Sequence, residues 1–346
     1  MMDESLDDAL ACFDYTVPSE LIAQSPAHPR DSARLLVFDR TSGTTSFDTF
    51  ANITDYLPKN CVLIFNQTKV FPARIHLKKK TGGMISALYL EEKDGMIRTL
   101  AEGKLQSGDR LDWNDGHFFI VESRDGKFAM LRPSFPIADL RSLLEQYGDT
   151  PLPPYIKNSP LTEEEKRSEY QTIFARKNGS VAAPTAGLHF TENLINKIER
   201  SGSDVRYVTL HVNLGTFAPL TDEHWTQKRL HEEWYDIDPD TATFLNEAKR
   251  EGRPIIAVGT TTVRTLESAT TNGVLEKLTG TTDIFIKEDD QIRFVDGLIT
   301  NFHVPRSSLL MLVSAFTGRE KLLELYRQAI DEKFRFFSFG DGMAIV

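Results

Sequence analysis

The sequence predicts an α/β protein in which a helix-covered, mostly parallel sheet domain is interrupted by an inserted small all-β barrel domain. Strand-like and helix-like patterns alternate towards both ends of the 346-residue chain, which is typical of a parallel sheet with helical crossovers. Short alternating runs separated by turn signals fill residues 70–132 instead, and such spacing favours a small barrel. The proline-rich residues 151–155 cannot form regular structure and mark the return from the barrel.

The outer parts of the chain carry the elements of the α/β domain. Apolar runs predict strands at residues 35–38, 61–65, 205–211 and 254–258. Helical periodicity predicts helices at residues 50–57, 192–200, 241–250, 307–316 and 319–330, with Asp240 as the N-cap of the third. Thr191 is placed to cap the helix that begins at residue 192.

The middle of the chain carries the elements of the barrel. Alternating runs predict strands at residues 85–90, 97–100, 117–121 and 128–131. Asp-Gly pairs at residues 94–95, 115–116 and 125–126 are strong hairpin signals. A helix is expected at residues 137–147. We therefore expect an α/β catalytic domain at residues 1–67 and 148–346, and a barrel domain at residues 68–147.

The composition indicates the cellular compartment and the kinds of binding partner to expect. The two cysteines, Cys12 and Cys61, form no close pair, so a reducing cytoplasm is expected. No secretory pattern is visible, and the longest apolar stretch, residues 308–316, is too short to span a membrane. A net charge of −10 argues against non-specific coating of nucleic acid, but local basic clusters could still grip one RNA loop. Each cluster alone also fits a solvated surface.

Three polar loops follow predicted strands or precede predicted helices. Residues 182–191 contain Thr185, Gly187 and His189; residues 210–217 contain His211, Gly215 and Thr216; residues 258–267 contain Arg264 and Glu267. Ligands of open α/β sheets gather at the carboxyl ends of strands, so these loops predict a small-molecule site. The glycine spacing fits neither a dinucleotide fingerprint nor a P-loop. Each loop alone also fits an ordinary turn.

Three further segments add ionisable groups. Asp283 lies within an apolar strand-like run, where a carboxylate is costly to bury without a partner. Glu233 stands beside Trp234, and residues 301–306 bring Asn301, His303 and Arg306 into one loop. The histidines lack the spacing of metal ligands, so no metal site is expected.

Eight collinear segments together resemble one family. They are residues 13–15, 30–35, 66–74, 183–191, 210–217, 258–267, 296–303 and 334–341. In this order they are similar to the signature stretches of the S-adenosylmethionine:tRNA ribosyltransferase-isomerase family of queuosine biosynthesis. The sequence departs from the family pattern at Gln67, where an acidic residue is usual, at Asn213, where glycine is usual, and at Gly342, where alanine is usual.

The resemblance implies a reaction and its partners. S-adenosyl-L-methionine would serve as the ribosyl donor, with no metal. The acceptor would be 7-aminomethyl-7-deazaguanine at the wobble position of a tRNA with a GUN anticodon. Epoxyqueuosine would form while adenine and methionine are released. The enzyme is expected to act as a cytoplasmic monomer, away from membranes, with the two-domain α/β and barrel architecture that the patterns predict.

This chemistry suggests roles for the polar residues. A base near neutral pKa could remove a C5′ proton next to the sulfonium, and His189, His211 and His303 are the candidates. Carboxylates and aromatic faces suit the sulfonium, as at Asp283, Glu233 and Trp234. A bidentate arginine, Arg264 or Arg306, suits the methionine carboxylate. The remaining substrate-binding candidates are Thr185, Gly187, Gly215, Thr216, Glu267 and Asn301, and the tRNA-binding candidates are Arg74, Lys78, Lys166 and Lys177.

We expect the three histidines to converge with Asp283 and Arg264 at the cleft between the domains. Two other classes of function are open. A conventional methyltransferase would leave S-adenosylhomocysteine as its product, and an RNA-binding module built on the barrel would turn over no adenosylmethionine.

Overall fold

The computed structural model describes residues 5–213 and 220–346. The α-helices in these residues are α1 (Leu6–Ala11), α2 (Leu140–Tyr147), α3 (Glu163–Glu169), α4 (Glu192–Arg200), α5 (Asp222–Gln227), α6 (Pro239–Arg250), α7 (Thr260–Ala269), α8 (Ser308–Thr317) and α9 (Arg319–Asp331). Short 3-10 turns occur at Ser19–Leu21, Arg30–Ser32, Phe50–Asp55, Asn114–Gly116, Ile137–Asp139 and Thr185–His189. None of the described helices is long and apolar enough to cross a membrane.

The strands follow in chain order. They are β1 (Arg34–Phe38), β2 (Thr45–Thr49), β3 (Val62–Asn66), β4 (Thr68–Val70), β5 (Arg74–Lys79), β6 (Met84–Lys93), β7 (Met96–Ala101), β8 (Arg110–Asp112), β9 (Phe118–Asp125), β10 (Phe128–Pro133), β11 (Lys177–Ser180), β12 (Asp204–Leu210), β13 (Arg229–Asp236), β14 (Ile255–Val258), β15 (Thr270–Thr271), β16 (Val274–Leu275), β17 (Thr279–Ile284), β18 (Gly297–Asn301) and β19 (Gly342–Ile345).

Nine of these strands form one mixed sheet in the order β17-β13-β12-β3-β14-β18-β19-β1-β2. The four central strands, β12, β3, β14 and β18, pair in parallel. Every residue of β3, β14 and β18 is buried, because the sheet is covered on both faces at its centre. The predicted α/β class is confirmed. The carboxyl ends of the four central strands meet at one edge, which is where ligands of such sheets bind.

A closed antiparallel barrel interrupts the sheet domain. Its six strands pair in the order β10-β7-β6-β5-β8-β9, and its interior is a separate apolar core that includes Ile75, Leu111 and Phe119. The Asp-Gly signals mark turns, with Asp94 and Asp115 in left-handed conformations. Immediately before the barrel, β4 pairs in parallel with β11, which precedes the loop to the functional site. The boundaries at residues 68 and 147 stay a prediction.

Most predicted elements of the sheet domain form close to their expected positions, but two predictions differ and several elements, including β2, β18 and β19, were not predicted. Residues 50–55 form a 3-10 turn in place of the predicted α-helix. The N-cap of α6 is Asp238, which accepts backbone hydrogen bonds from Asp240 and Thr241, so the predicted cap at Asp240 is wrong. The strand β13 was not predicted, although it carries Glu233 and Trp234. Thr191 does cap α4, by accepting from the backbone N–H of Leu194.

Candidate active site

A cleft opens at the carboxyl edge of the central strands. Its lining comes from segments far apart in the sequence: the turn after β11, the start of α7, the loop after β18 and the chain near residue 338. The polar residues that line it are Tyr155, Thr185, Thr260, Thr261, Arg264, Thr300, Asn301, His303, Ser308 and Ser338. Three of the predicted loops therefore contribute to one cavity.

Buried Asn66 joins the strand ends beneath the cleft. Its side-chain N–H donates to the carbonyl of Leu210 at 3.0 Å and to the hydroxyl of Thr261 at 3.2 Å. Its side-chain oxygen accepts from the backbone N–H of Leu210 at 3.1 Å and of Thr68 at 3.1 Å. Since each hydrogen bond satisfies a buried polar group, the ends of β3 and β12 and the start of α7 are held in a fixed arrangement. Asn66 lies in a family-like segment, but no sequence pattern predicted this role for it.

Arg264 brings a buried positive charge to the cleft. Helix α7 begins directly after β14, where Gly259 takes a left-handed φ of 91° that favours glycine. One turn later, Nη1 of Arg264 donates to Oε2 of Glu233, and Oε1 of Glu233 accepts from the backbone N–H of Asn213 at 3.0 Å. Glu233 is fully buried on β13. Arg264 and Glu233, which were predicted to contact different parts of the ligand, thus form an ion pair.

The other edge of the same guanidinium is open. Nε and Nη2 of Arg264 are buried and have no hydrogen-bond partner within the described residues. These two groups form one planar fork, which matches the two oxygens of a carboxylate. Leaving two charged donors buried and unsatisfied is unfavourable. The arrangement is therefore that of a receptor for an anionic ligand group.

A second polar chain lies behind the cleft. The hydroxyl of Thr185 donates to Oδ1 of Asn301 at 2.7 Å, and Nδ2 of Asn301 donates to Nε2 of His189 at 3.1 Å. The imidazole of His189 stacks on Phe50 with 4.1 Å between the ring centroids. Burial lowers the pKa of His189 to about 3, with a smaller effect from Arg335 and Arg30. His189 is therefore neutral and orients Asn301 without lining the cleft.

His303 does line the cleft. Its Nε2 forms a hydrogen bond with the hydroxyl of Thr300 at 2.8 Å. Its backbone N–H donates to the Tyr326 hydroxyl at 2.8 Å, and the Tyr15 hydroxyl donates to its carbonyl. Burial lowers the pKa of His303 to about 4. The imidazole is consequently neutral at physiological pH and can accept a proton or a hydrogen bond.

His211 lies at the start of the loop after β12, and its neighbour Val212 lines the cleft. The Thr68 hydroxyl donates to Oγ of Ser180 at 2.8 Å, so at 2.8 Å it accepts from Nδ1 of His211. This tautomer leaves Nε2 of His211 unprotonated. Burial lowers the pKa of His211, and nearby Arg141 and Lys177 lower it further. Sequence analysis missed Thr68 and Ser180, although Thr68 lies in a family-like segment.

Besides His189, His211 and Glu233, four predicted small-molecule site residues lie outside the cleft lining. Asp283 lies on edge strand β17, a third exposed, where it pairs with Arg229 at 3.5 Å. Glu267 accepts three backbone N–H groups, from Arg293, Phe294 and Val295, so it holds a loop. Arg306 is exposed and pairs with Asp7 and Asp14 near the N-terminal helix. Gly187 is buried against Thr172.

Of the residues predicted to converge, Arg264 and His303 line the cleft. Asp283 does not, because its side chain lies on the partly exposed edge strand β17 and pairs there with Arg229. Gly215 and Thr216 lie outside the described residues. Among the described residues, no group of three or more histidine, cysteine or acidic side chains is arranged to hold a metal ion.

The predicted tRNA-binding residues have different surroundings. Arg74 is largely buried and donates to Ser86 Oγ at 3.2 Å and to the carbonyl of Leu152 at 3.1 Å, so it connects the barrel to the return crossing. Burial also lowers its pKa. Lys78 and Lys177 are exposed, and Lys166 is half-buried on α3. Lys177 lies 4.0 Å from Asp236.

The fold and the cleft define an α/β protein with a polar cleft at the ends of its central strands and an inserted antiparallel barrel. The comparisons specify the family. The model of the family described as "Queuosine biosynthesis protein" matches residues 10–345. The chain belongs to this family, whose curated relatives are S-adenosylmethionine:tRNA ribosyltransferase-isomerases.

Several relatives are similar over almost their whole length. The enzyme of that name from Sulfurihydrogenibium sp. (strain YO3AOP1) is 44% identical over 341 residues, covering 97% of this chain and 99% of the relative. The one from Desulforamulus reducens (strain ATCC BAA-1160 / DSM 100696 / MI-1) is 45% identical, with 97% and 99% covered. The crystal structure of S-adenosylmethionine tRNA ribosyltransferase from Thermotoga maritima matches with a TM-score of 0.56 and 34% identity, covering 97% of this chain and 100% of that chain.

Proposed function

We propose that this protein transfers and isomerises the ribosyl group of S-adenosylmethionine onto 7-aminomethyl-7-deazaguanine at the wobble position of tRNA. The products are epoxyqueuosine in the tRNA, adenine and methionine. Family membership, together with 43–45% identity to enzymes of this name, supports the proposal. We further infer that the tRNA carries a GUN anticodon and that a single chain acts in the cytoplasm.

One observation carries the proposal at the level of the site. Arg264 lines the cleft, and its buried Nε and Nη2 have no hydrogen-bond partner among the described residues, while Glu233 holds its remaining edge. The methionine part of adenosylmethionine carries a carboxylate, which this fork fits in a bidentate manner. Arg306, the other predicted candidate, pairs with Asp7 and Asp14 on the surface. We therefore assign the carboxylate to Arg264.

The neighbouring groups suit the rest of the reaction. We propose that His303, a neutral imidazole that lines the cleft, accepts the C5′ proton made acidic by the sulfonium, although burial lowers its pKa to about 4, below the near-neutral value expected of this base. The amide of Asn301, oriented by Thr185 and His189, offers a polar contact to the ligand. His211 remains a second candidate base, because the Thr68 hydrogen bond leaves its Nε2 free to take up a proton.

The fate of adenosylmethionine tests the proposal. The purified protein is mixed with adenosylmethionine and tRNA bearing the 7-aminomethyl-7-deazaguanine, and the spent cofactor is separated by chromatography. Adenine and methionine should appear in equal amounts, and tRNA with unmodified guanine should give neither. Formation of S-adenosylhomocysteine would instead indicate a methyltransferase. Binding of tRNA without consumption of adenosylmethionine would indicate a non-enzymatic RNA-binding protein.

A further inference from the structure

We propose that the indole of Trp234, backed by the imidazole of His211, is a stacking platform for an unpaired nucleobase of the tRNA anticodon loop. The inference rests on the proposed function, since it names a surface that would receive the RNA substrate. Three observations support the proposal: Trp234 is exposed, the imidazole of His211 stacks on its ring, and charged side chains lie nearby.

Trp234 is exposed where its strand neighbours are not. On β13, Glu233 and Tyr235 are buried, whereas Trp234 is 38% exposed. Alternation along a strand places Trp234 on the opposite face from the Arg264–Glu233 pair. Tryptophan is enriched at interfaces, because it combines a large apolar face with a polar N–H group. Its backbone carbonyl accepts from the N–H of His211 at 2.9 Å, which fixes the two residues side by side.

His211 covers part of the indole and is itself held in place. The two rings stack with centroids 4.9 Å apart and an angle of 25° between their planes. A Cβ at Gly179 would lie 2.5 Å from the imidazole, so only glycine allows the backbone of β11 to approach this closely. Thr68 fixes the ring through Nδ1. A rigid pair of this kind loses little conformational entropy when a third planar ring stacks on it.

Two cations and two carboxylates lie around this pair, and the two cations are the groups that could contact the phosphates of a nucleic acid. Lys177 is exposed at the start of β11, and its attraction to Asp236 acts across 4.0 Å. Exposed Arg141, from the helix after the barrel, lies over the ring of Phe71 at 3.6 Å. Both cations lower the pKa of His211, so both act on the platform, and Asp236 opposes them. Exposed Glu232 adds a second negative charge nearby on β13.

A single-stranded RNA segment fits these features best. Stacking of bases on aromatic side chains combined with basic contacts to the backbone is the common mode of binding for unpaired nucleotides. Arg141 follows the barrel strands and Trp234 belongs to the sheet, so a nucleotide on the platform would touch both parts of the protein. The adenine of adenosylmethionine is a rival occupant, and the experiment separates it from the tRNA base.

The test compares the native full-length protein with three variants that each carry one substitution. They are Trp234→Leu, Trp234→Phe and, as the matched control, Trp225→Phe. Dissociation constants are measured for the substrate tRNA and, separately, for adenosylmethionine. Trp234→Leu should weaken tRNA binding by roughly 5- to 150-fold, the range expected for loss of one base–aromatic stack. Trp234→Phe keeps a ring and should lose less. Neither should change the affinity for adenosylmethionine, and Trp225→Phe should change neither affinity.

Fluorescence provides a readout that a merely structural role would not change. Binding of tRNA should quench the tryptophan emission of the native protein and of Trp225→Phe, whereas Trp234→Phe should lose most of this quenching. If Trp234→Phe keeps the full quenching, or if tRNA affinity is the same in all variants, the platform is excluded. A loss of adenosylmethionine affinity alone would assign the ring to adenine and would also overturn the inference.

The outcomes separate this inference from the proposed function. Absence of adenine release by the native protein contradicts the function, and a Trp234-dependent quenching by tRNA would still support the platform. Conversely, normal release of adenine by the native protein and by Trp234→Leu, at low tRNA concentration, contradicts the platform alone.

Discussion

Glu233 holds one edge of the Arg264 guanidinium, and the two donors on the opposite edge have no hydrogen-bond partner among the described residues. Both side chains are nearly removed from solvent, at 1% and 8% exposure. A buried ion pair contributes little to stability by itself, because desolvation of the two charges offsets their attraction. The pair matters here for geometry, because Glu233 balances the positive charge of Arg264 and fixes the orientation of its Nε–Nη2 edge.

Replacing Arg264 by lysine should weaken adenosylmethionine binding. Lysine keeps the positive charge but cannot present two parallel donors to a carboxylate. From the strength of hydrogen bonds between charged groups, we expect the dissociation constant to rise by roughly 10- to 100-fold. Calorimetric titration measures it. Arg229→Lys, at the exposed pair with Asp283, is the matched control and should bind normally. Equal affinity in both variants would remove Arg264 from the carboxylate site.

Replacing Glu233 by glutamine should destabilise the folded protein. The change leaves the shape of the side chain almost intact, but the buried positive charge of Arg264 then has no negative partner. Loss of one partner of a buried pair typically lowers the free energy of unfolding by about 3–5 kcal/mol. The neighbouring exposed residue gives the control, since Glu232→Gln should change it by less than about 0.5 kcal/mol. Urea unfolding compares the two, and similar stabilities would contradict a charge pair at this position.

Replacing His303 by asparagine should slow the reaction while leaving adenosylmethionine bound. Loss of a general base reduces turnover by about 10²–10⁴-fold. The half-exposed His76, which pairs with Asp149 on the barrel, supplies the control substitution His76→Asn. Adenine release under saturating substrates is the measurement. If His303→Asn turns over at the native rate, the base must be sought elsewhere, first at His211.

Acid should destabilise the protein through its buried histidines. His189 and His303 have pKa values of about 3 and 4, well below the ordinary 6.5, because burial disfavours their charged forms. Between pH 6.5 and about 4 the unfolded chain therefore binds protons that the folded chain does not. The free energy of unfolding is fully retained above pH 6.5. It should fall with decreasing pH, by at most about 1.4 kcal/mol per unit for each histidine.

Urea unfolding between pH 7 and pH 4.5 measures this slope. The variant His189→Gln should show a shallower dependence than the native protein, whatever its stability at pH 7. An identical slope in the two proteins would mean that His189 is protonated in the folded state.

The salt dependence of tRNA binding should distinguish Lys177 from Arg74. Each lysine that contacts a phosphate adds about one to the magnitude of the slope of log K against log salt concentration. Lys177→Gln should therefore reduce the slope by about one. Arg74→Gln should lower thermal stability instead, since Arg74 is engaged inside the fold by Ser86 and Leu152. A reduced slope for Arg74→Gln with unchanged stability would reverse the two assignments.

Local patterns predicted much of the architecture. Asp-Gly pairs such as Asp94-Gly95 favour the left-handed backbone of a tight turn. The apolar runs of β3 and β14 are stable only where other elements pack on both faces of the sheet. Patterns were less able to place side chains in space. Asp283 was expected in the cleft because its strand is apolar, but that strand is the sheet edge, and its polar face meets solvent.

The sequence by itself determined the fold class, the family and the loops from which the cleft is built, because periodicity, turn chemistry and collinear motifs are local properties of the chain. Only the tertiary structure decided which polar residues meet. Arg264 and Glu233 are joined by the pairing of β13 with β12, and Trp234 reaches His211 through the same pairing. Such contacts depend on the order and register of strands distant in sequence, which no single segment encodes.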